Sequence, residues 1–375
     1  MPRIVMLSKA CIIGAYQRKL EEIAALAPEL SLTVAVPPRW GDTPLERAHV
    51  RGYRLDVVPL WFNGHFHLHC YPTLNRLLRE LQPDLVHIDE EPYNLATYHA
   101  LRLARRHKAR TLWFSWQNLA RRYPPPFAHM ERYAMRHADH AIVGSRAAAE
   151  VWRGKGYRGP LSVIPQFGVD PDIFAPPAAP RAAESLHIAY VGRLVPEKGV
   201  DVLLDALHGL PGAWHATILG RGPEAASLQA QADALGLADR VAFQSARPSV
   251  EMPRFYKSVD VLVLPSRARP NWMEQFGRVL IEAMACGAVA VGAESGEIPH
   301  VIGDAGRTFA EDDAAGLRAI LDALRAHPET RRALAEAGRA RVLRHFTQRH
   351  IAQETVRVYR AVLNREPPAA KRAEL

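Results

Sequence analysis

The chain is poor in cysteine. Cys11, Cys70 and Cys286 are the three in 375 residues, an odd number, far apart and without a Cys-x-x-Cys pair. That pattern excludes a disulfide-stapled framework and gives a zinc knuckle no ligands, and it suits a reducing compartment, so a cytoplasmic location is expected. No apolar run approaches the roughly 20 residues that would span a bilayer. The N-terminal MPRIVMLSKACIIG reads as a short strand and loop, lacking the long apolar core and small-residue cleavage site of a signal peptide. Also missing is any stripe of positive residues interleaved with aromatics, or any nucleic-acid motif, so no nucleic-acid partner is expected.

What is present is apolar bulk and a scattered positive excess. At 48% hydrophobic content the chain has material for two cores, and two domains are the default. Lys and Arg number 48 against 39 Asp and Glu, a formal charge of +9. This balance favours anionic partners: phosphorylated substrates, or peripheral contact with the inner face of an anionic membrane.

Short apolar runs (Ile4 to Leu7, Leu32 to Val36, Leu85 to Ile88, Thr111 to Phe114, Ala141 to Val143) alternate with helical stretches such as Ala15 to Ala27 and Leu95 to Arg106. Such alternation predicts a parallel sheet with crossover helices, an α/β domain over 1–170. The proline-rich PDIFAPPAAP then stops any regular element, which sets a linker at 171–180. The rhythm restarts with strands at His187 to Val191, Ala216 to Leu219, Val241 to Phe243, Val261 to Leu264 and Val289 to Val291, a second α/β domain over 181–345. Ile351, Val356, Tyr359 and Leu363 are spaced as in an amphipathic helix, expected over 346–366, before a tail at 367–375.

Three segments of the second domain carry chemistry. Gly192-Arg193-Leu194-Val195-Pro196-Glu197-Lys198-Gly199 follows the first strand, where ligands of an open α/β sheet sit, and its two cations can reach one diphosphate. The alternative is an ordinary loop with two solvated cations. Gly220-Arg221-Gly222-Pro223-Glu224 follows the next strand on the same rim. After Pro265-Ser266 and RARPNWM comes EQFGRVLIEAMACGAVAVG, in which Glu274 and Glu282 stand eight positions apart, a spacing that puts both carboxylates near one face of a helix opening after a Phe-Gly turn. A helix N-terminus suits a phosphate and carboxylates accept from hydroxyls, which together predict a nucleotide-sugar. The bland reading is a solvated helix, with Glu282 paired to Arg278.

With VGRLVPEKGVD, ILGRGPE, VLVLPS and IPQFGVDPDIF in order over most of residues 160 to 310, the chain resembles the family-4 retaining glycosyltransferases. The resemblance implies the GT-B fold, two Rossmann-like domains facing across a cleft, with the C-terminal helix crossing back to the first. It implies transfer of a hexose-type sugar from a nucleoside-diphosphate-sugar to the hydroxyl of a glycan, glycolipid or small molecule, in glycan, glycolipid or exopolysaccharide synthesis. By the same resemblance Glu282 holds the ribose, Glu274 with the backbone at Phe276 and Gly277 holds the donor sugar, and Arg193 and Lys198 hold the diphosphate; Gly192, Gly220, Arg221, Arg247 and Arg278 complete the donor set. Glu274, Arg193 and Lys198 are the expected catalytic residues. No metal or cofactor is expected, since fixed cations can stabilise the leaving group.

The first domain is the expected acceptor side. Of the family's Gly-rich first loop only Gly14 remains. Gln117, followed by Asn118, stands where many relatives carry a His. Asp89 and Glu90, with Glu91, end a strand and either orient acceptor hydroxyls or complement a helix dipole. Tyr123, in YPPPF, reads as a stiff loop at the mouth. His65, His67 and His69 would share one face if extended, a polar rim in preference to a metal site. Asp170-Pro171-Asp172 has the form of a metal motif, yet sits where Asp is common in turns. Other readings of the chain are a nucleotide-sugar epimerase on the same fold, or a basic module for anionic membranes or polyanions.

Overall fold

The computed structural model describes residues 1–178 and 185–364. The chain forms two compact units, one of residues 1–167 with the segment from Gln348 onward and the other of 168–347. In chain order the strands are β1 Arg3–Leu7, β2 Ser31–Val36, β3 Arg39–Trp40, β4 Thr43–Pro44, β5 Arg54–Val57, β6 Leu85–Ile88, β7 Arg110–Ser115, β8 His140–Val143 and β9 Leu161–Val163, then β10 Leu186–Val191, β11 Trp214–Leu219, β12 Val241–Gln244, β13 Val261–Leu264, β14 Val289–Ala293 and β15 Arg307–Phe309.

The first unit's main sheet runs β5-β2-β1-β6-β7-β8-β9, parallel throughout, with β3 and β4 as a separate antiparallel hairpin. Its inner strands are apolar on both faces because helices cover both. Along β1, Val5 and Leu7 enter one core with Trp113, Trp152 and Tyr157, while Ile4 and Met6 enter the other. That second core also takes Ile351, Val356, Tyr359 and Val362 from helix Gln348–Leu363, so the C-terminal helix belongs to the first unit, as expected. A 2.8 Å hydrogen bond between the Tyr359 hydroxyl and His87 Nδ1 pins this helix to β6, and burial holds His87 neutral by pushing its pKa well down.

The second unit's sheet runs β12-β11-β10-β13-β14-β15, again all parallel. Both units therefore have the strand order of a Rossmann sheet, with the switch of winding direction between β1 and β6 in one and between β10 and β13 in the other. The expected strands are all present, and all but β12, which is an edge of the second sheet, are inner strands. The edge strands β5, β9 and β15 are half-exposed, and the apolar pattern does not reveal them.

Two expected boundaries move. The chain passes between units at 167/168 and 347/348, and the proline-rich stretch through residue 178 is part of the second unit. It is held there by a turn in which Ile173 N and Phe174 N donate to the Asp170 carbonyl at 3.2 and 2.9 Å and Asp172 N donates to Asp170 Oδ1 at 3.0 Å, with the Phe174 ring 6.4 Å from that of Tyr256. Asp170 and Asp172 thus serve a turn. Residues 179–180 of the expected linker, 365–366 of the expected helix and the 367–375 tail lie outside the described residues. The helix expected from Ala15 starts at Arg18, after a 3-10 turn, Gly14–Gln17, in which buried Gln17 donates to the carbonyls of Cys11 and Glu46 at 2.9 and 2.6 Å.

Gly199 links the two central loops of the second unit. It has φ of +65°, and a Cβ there would lie 2.1 Å from the Pro265 carbonyl oxygen. Gly199→Ala meets both backbone strain and a main-chain clash, so a loss of about 2 kcal/mol or more is expected in urea unfolding; a midpoint equal to the parent's would show that the loops separate freely.

Candidate active site

In the second unit, the loops after β10 and β13 part at the switch point and carry the central pair. Lys198 comes from the 3-10 turn Pro196–Lys198 after β10, and Glu274 from the loop after β13. Lys198 Nζ lies 2.5 Å from Glu274 Oε2, with side-chain exposures of 14% and 10%, and Ser266 Oγ donates to the same oxygen at 3.1 Å. The Trp272 ring stands 4.8 Å from Nζ. Gly296, at φ +55°, lets the loop after β14 close on this segment: Glu297 N donates to the Glu274 carbonyl at 3.2 Å, where any Cβ on Gly296 would clash.

The helix geometry expected for the two glutamates is overturned. The helix is Arg278–Ala285, preceded by Gly277 at φ +76°, so Glu274 lies in the loop before it and only Glu282 is helical. Glycine's left-handed turn breaks the periodicity that the spacing argument needs. The two carboxylates accordingly have separate partners. Glu282 pairs with Arg278 Nε at 2.7 Å and accepts from the Tyr256 hydroxyl at 3.0 Å, and burial raises its pKa against the pull of Arg278.

Arg193 does not join the Lys198–Glu274 pair: its side chain is 65% exposed, with Nη2 3.6 Å from Glu197 Oε1. Gly192 and Gly220 extend the sheet by donating to the Leu219 and Gln244 carbonyls at 3.0 and 2.9 Å. Arg221 is exposed, its carbonyl accepting from Leu194 N. Arg247 is exposed as well, donating to Gln244 Oε1 at 2.6 Å. Phe276 is buried against Phe346, ring centroids 5.7 Å apart. Ser266, Trp272 and Tyr256 are contributors that spacing did not single out; Ser266 had a positional signal, directly after β13, and Tyr256 had none.

In the first unit, the carboxyl edge between β1 and β6 carries three buried carboxylates, each with its own partners. Asp89 accepts from Ser8 Oγ at 2.6 Å. Glu90 is paired with Lys9 Nζ, accepts from Lys9 N at 3.0 Å and has His69 Nε2 at 3.4 Å. Glu91 accepts from Ser115 Oγ at 2.6 Å and Trp116 N at 2.7 Å. Burial alone would raise Glu90, yet Lys9 and His69 hold it at about 2, whereas burial lifts Glu91 to about 7. Gln117 follows, with its N–H donating to Ser115 Oγ at 3.0 Å, and Asn118 is buried beside it. Gly14 N donates to Glu46 Oε2 at 2.6 Å.

The His65/His67/His69 face does not form. Residues 62–68 are turns, not strand, so the three side chains diverge: His65 is exposed, His67 lies among Tyr93, Tyr123 and Phe127, and His69 is buried on Glu90. Tyr123 stacks on Tyr93 at 4.3 Å.

Two Rossmann-ordered units, the second with an acid–base pair at its switch point, define the GT-B class. Residues 175–341 match the model for glycosyl transferases group 1, and 23–173 that for glycosyltransferase family 4. The chain belongs to the family-4 glycosyltransferases. It is 35% identical over 231 residues, 57% of this chain and 49% of that protein, to a D-inositol 3-phosphate glycosyltransferase of Segniliparus rotundus. It is likewise 35% identical over 199 residues, 48% of this chain and 52% of that protein, to a GDP-mannose-dependent alpha-(1-6)-phosphatidylinositol monomannoside mannosyltransferase of Mycolicibacterium smegmatis. The chain spans about half the length of the curated relatives it matches. Among solved structures, Anabaena HepE in complex with UDP has a TM-score of 0.73 at 19% identity, covering 96% of this chain and 100% of that one. Sucrose-phosphate synthase from Thermosynechococcus elongatus has 0.71 at 19%, covering 96% and 99%. Among the described residues no helix is long and apolar enough to cross a membrane.

The two neighbouring glutamates respond oppositely to pH. Glu91 is raised from 4.5, so its contribution to stability is full below pH 4.5 and is lost as pH rises toward 7; that of Glu90, depressed to about 2, is present above 4.5 and lost below it. Glu91→Gln cannot ionise, so it should gain on the parent by up to about 3 kcal/mol between about pH 5 and about pH 8. A constant difference in unfolding midpoint across that range would refute the assignment.

Proposed function

We propose that this protein moves a hexose-type sugar from a nucleoside-diphosphate-sugar to the hydroxyl of a glycan, glycolipid or small molecule, with retention at the anomeric carbon and without a metal. The observation that carries this is the Lys198–Glu274 pair with Ser266 at the β10/β13 switch point. An ammonium has three donors, so Lys198 can keep Glu274 on one side and offer the others to a diphosphate. Charge builds on that diphosphate as the glycosidic bond breaks, and a fixed cation there lowers the barrier. Glu274, buried and oriented by Lys198 and Ser266, is the carboxylate that takes the sugar hydroxyls in this reading.

Arg193, exposed and weakly paired, is free to swing onto the diphosphate. Glu282 keeps one acceptor site on each oxygen beyond Arg278 and Tyr256, enough for two ribose hydroxyls. The UDP and UDP-glucose complexes of HepE and the GDP-mannose dependence named for the mycobacterial relative support the donor class. In the first unit, Asp89, Glu90, Gln117, Asn118, Tyr123 and His67 are the acceptor-side groups.

Donor consumption tests the reading, with UDP-glucose and GDP-mannose as probes. Glu274→Gln and Lys198→Met should each lower turnover by about 100-fold or more. EDTA should leave the parent rate unchanged and proton NMR of the product should report the donor's anomeric configuration. Turnover that survives both substitutions, or that requires manganese, would overturn it.

A further inference from the structure

The second unit has a cavity of about 200 Å³ at the edge of its sheet opposite Glu274. It is lined by the residues that lead into β13 and β14, Val259 and Asp260 before one strand and Gly287 before the other, and by helix Pro328–His345. Glu274 follows the carboxyl end of β13, so at least the length of that strand, roughly 13 Å, separates the two places. The walls are cross-linked backbone. Gly287 turns at φ +87°, where an added Cβ would lie 3.4 Å from that of Pro176. Arg339 Nη1 ties the same two segments by donating to the Phe174 and Ala285 carbonyls at 3.3 and 2.5 Å.

The lining is positive. Lys257, directly after helix Met252–Tyr256, is half-buried, as is Arg331, and Arg332 beside it is exposed. Arg331 Nη1 donates to the Leu324 carbonyl at 2.7 Å, and among the described residues none of the three cations has a carboxylate partner. Asp260 is the one carboxylate of the lining, and it accepts from His187 N at 2.8 Å. Cys286 adds no charge, because burial pushes its thiol up to about 12. Three like charges around one hollow repel one another, and an anion between them removes that cost.

Shape and size choose the anion. A carboxylate is planar and matches a single guanidinium fork, whereas a tetrahedral phosphoryl group accepts from several directions, which two guanidiniums and an ammonium on separate elements supply. The volume is below the roughly 300 to 1,000 Å³ of sites that enclose drug-sized ligands, so a nucleotide is too large. We propose that this cavity binds a phosphoryl dianion, either inorganic phosphate or the phosphate of a small phosphomonoester, at a site separate from the donor site. Bound there, the dianion clamps Lys257 and helix Pro328–His345 to the amino edge of the sheet and stabilises the second unit.

The test uses the full chain and compares its unfolding midpoint in sodium phosphate, in glycerol 3-phosphate and in sodium chloride of equal ionic strength. At about 10 mM either phosphoryl ligand should raise the midpoint saturably, by about 2 °C or more over chloride. Tighter binding of glycerol 3-phosphate assigns the site to a phosphomonoester and equal binding assigns it to the inorganic ion; both support the proposal. Lys257→Met combined with Arg332→Met should weaken binding at least about tenfold and leave consumption of UDP-glucose and GDP-mannose unchanged. Neither side chain is fully buried or ion-paired, so the fold is kept. Ala335→Phe fills the cavity with every charge in place and should abolish the rise, while Lys198→Met should keep it. No saturable rise over chloride would overturn the proposal, as would an equal rise in Ala335→Phe, which would show attraction to surface charge only. A rise lost in Lys198→Met and kept in the Lys257/Arg332 variant would place the anion at the donor site and overturn it too.

Discussion

A parallel sheet needs a crossover for every strand, and where the winding reverses, two neighbouring loops leave in opposite directions and open a gap at the carboxyl edge. That constraint operates twice in this chain. At β10/β13 the gap receives Lys198 and Glu274, and at β1/β6 it receives Lys9, Asp89 and Glu90. The chemistry-bearing groups of both units thus come from loops whose positions are set by strand order, while the apolar strands beneath hold those loops apart at fixed spacing.

Charge at such an edge is costly to bury and is kept only where partners are supplied. The two edges solve this differently. In the second unit a lysine from one loop meets a glutamate from another, with a serine hydroxyl on the same carboxylate oxygen. In the first unit the three consecutive carboxylates are separated by backbone direction into three private networks, and the result is a Glu90 held ionised next to a Glu91 pushed towards neutrality. Like-charge repulsion is a minor contributor there; burial against the supply of donors decides each value.

The sequence was most legible where one physical signal suffices. Inner strands, buried on both faces, show continuous apolar runs, and the amphipathic spacing of Ile351, Val356 and Tyr359 marked the terminal helix. Of the edge strands of the two main sheets, β5, β9 and β15 were not legible because a half-exposed three- or four-residue segment carries no such run. The Glu274–Glu282 spacing argument relied on a shared helical face that does not exist, since a left-handed Gly277 lies between them. The His65 to His69 alternation suggested a strand that turns interrupt.

By itself the sequence determined the two α/β halves, the Rossmann-type cores and the family motifs around Glu274, because periodicity and loop position after a strand are local properties. Tertiary structure decided the partners. That Lys198 meets Glu274, that Tyr256 reaches Glu282, and that Lys155 links Glu131 to Gln117 all depend on side chains brought together across tens of residues by separate elements. No spacing rule encodes such meetings, because the distance along the chain says nothing of which loops the sheet order makes neighbours.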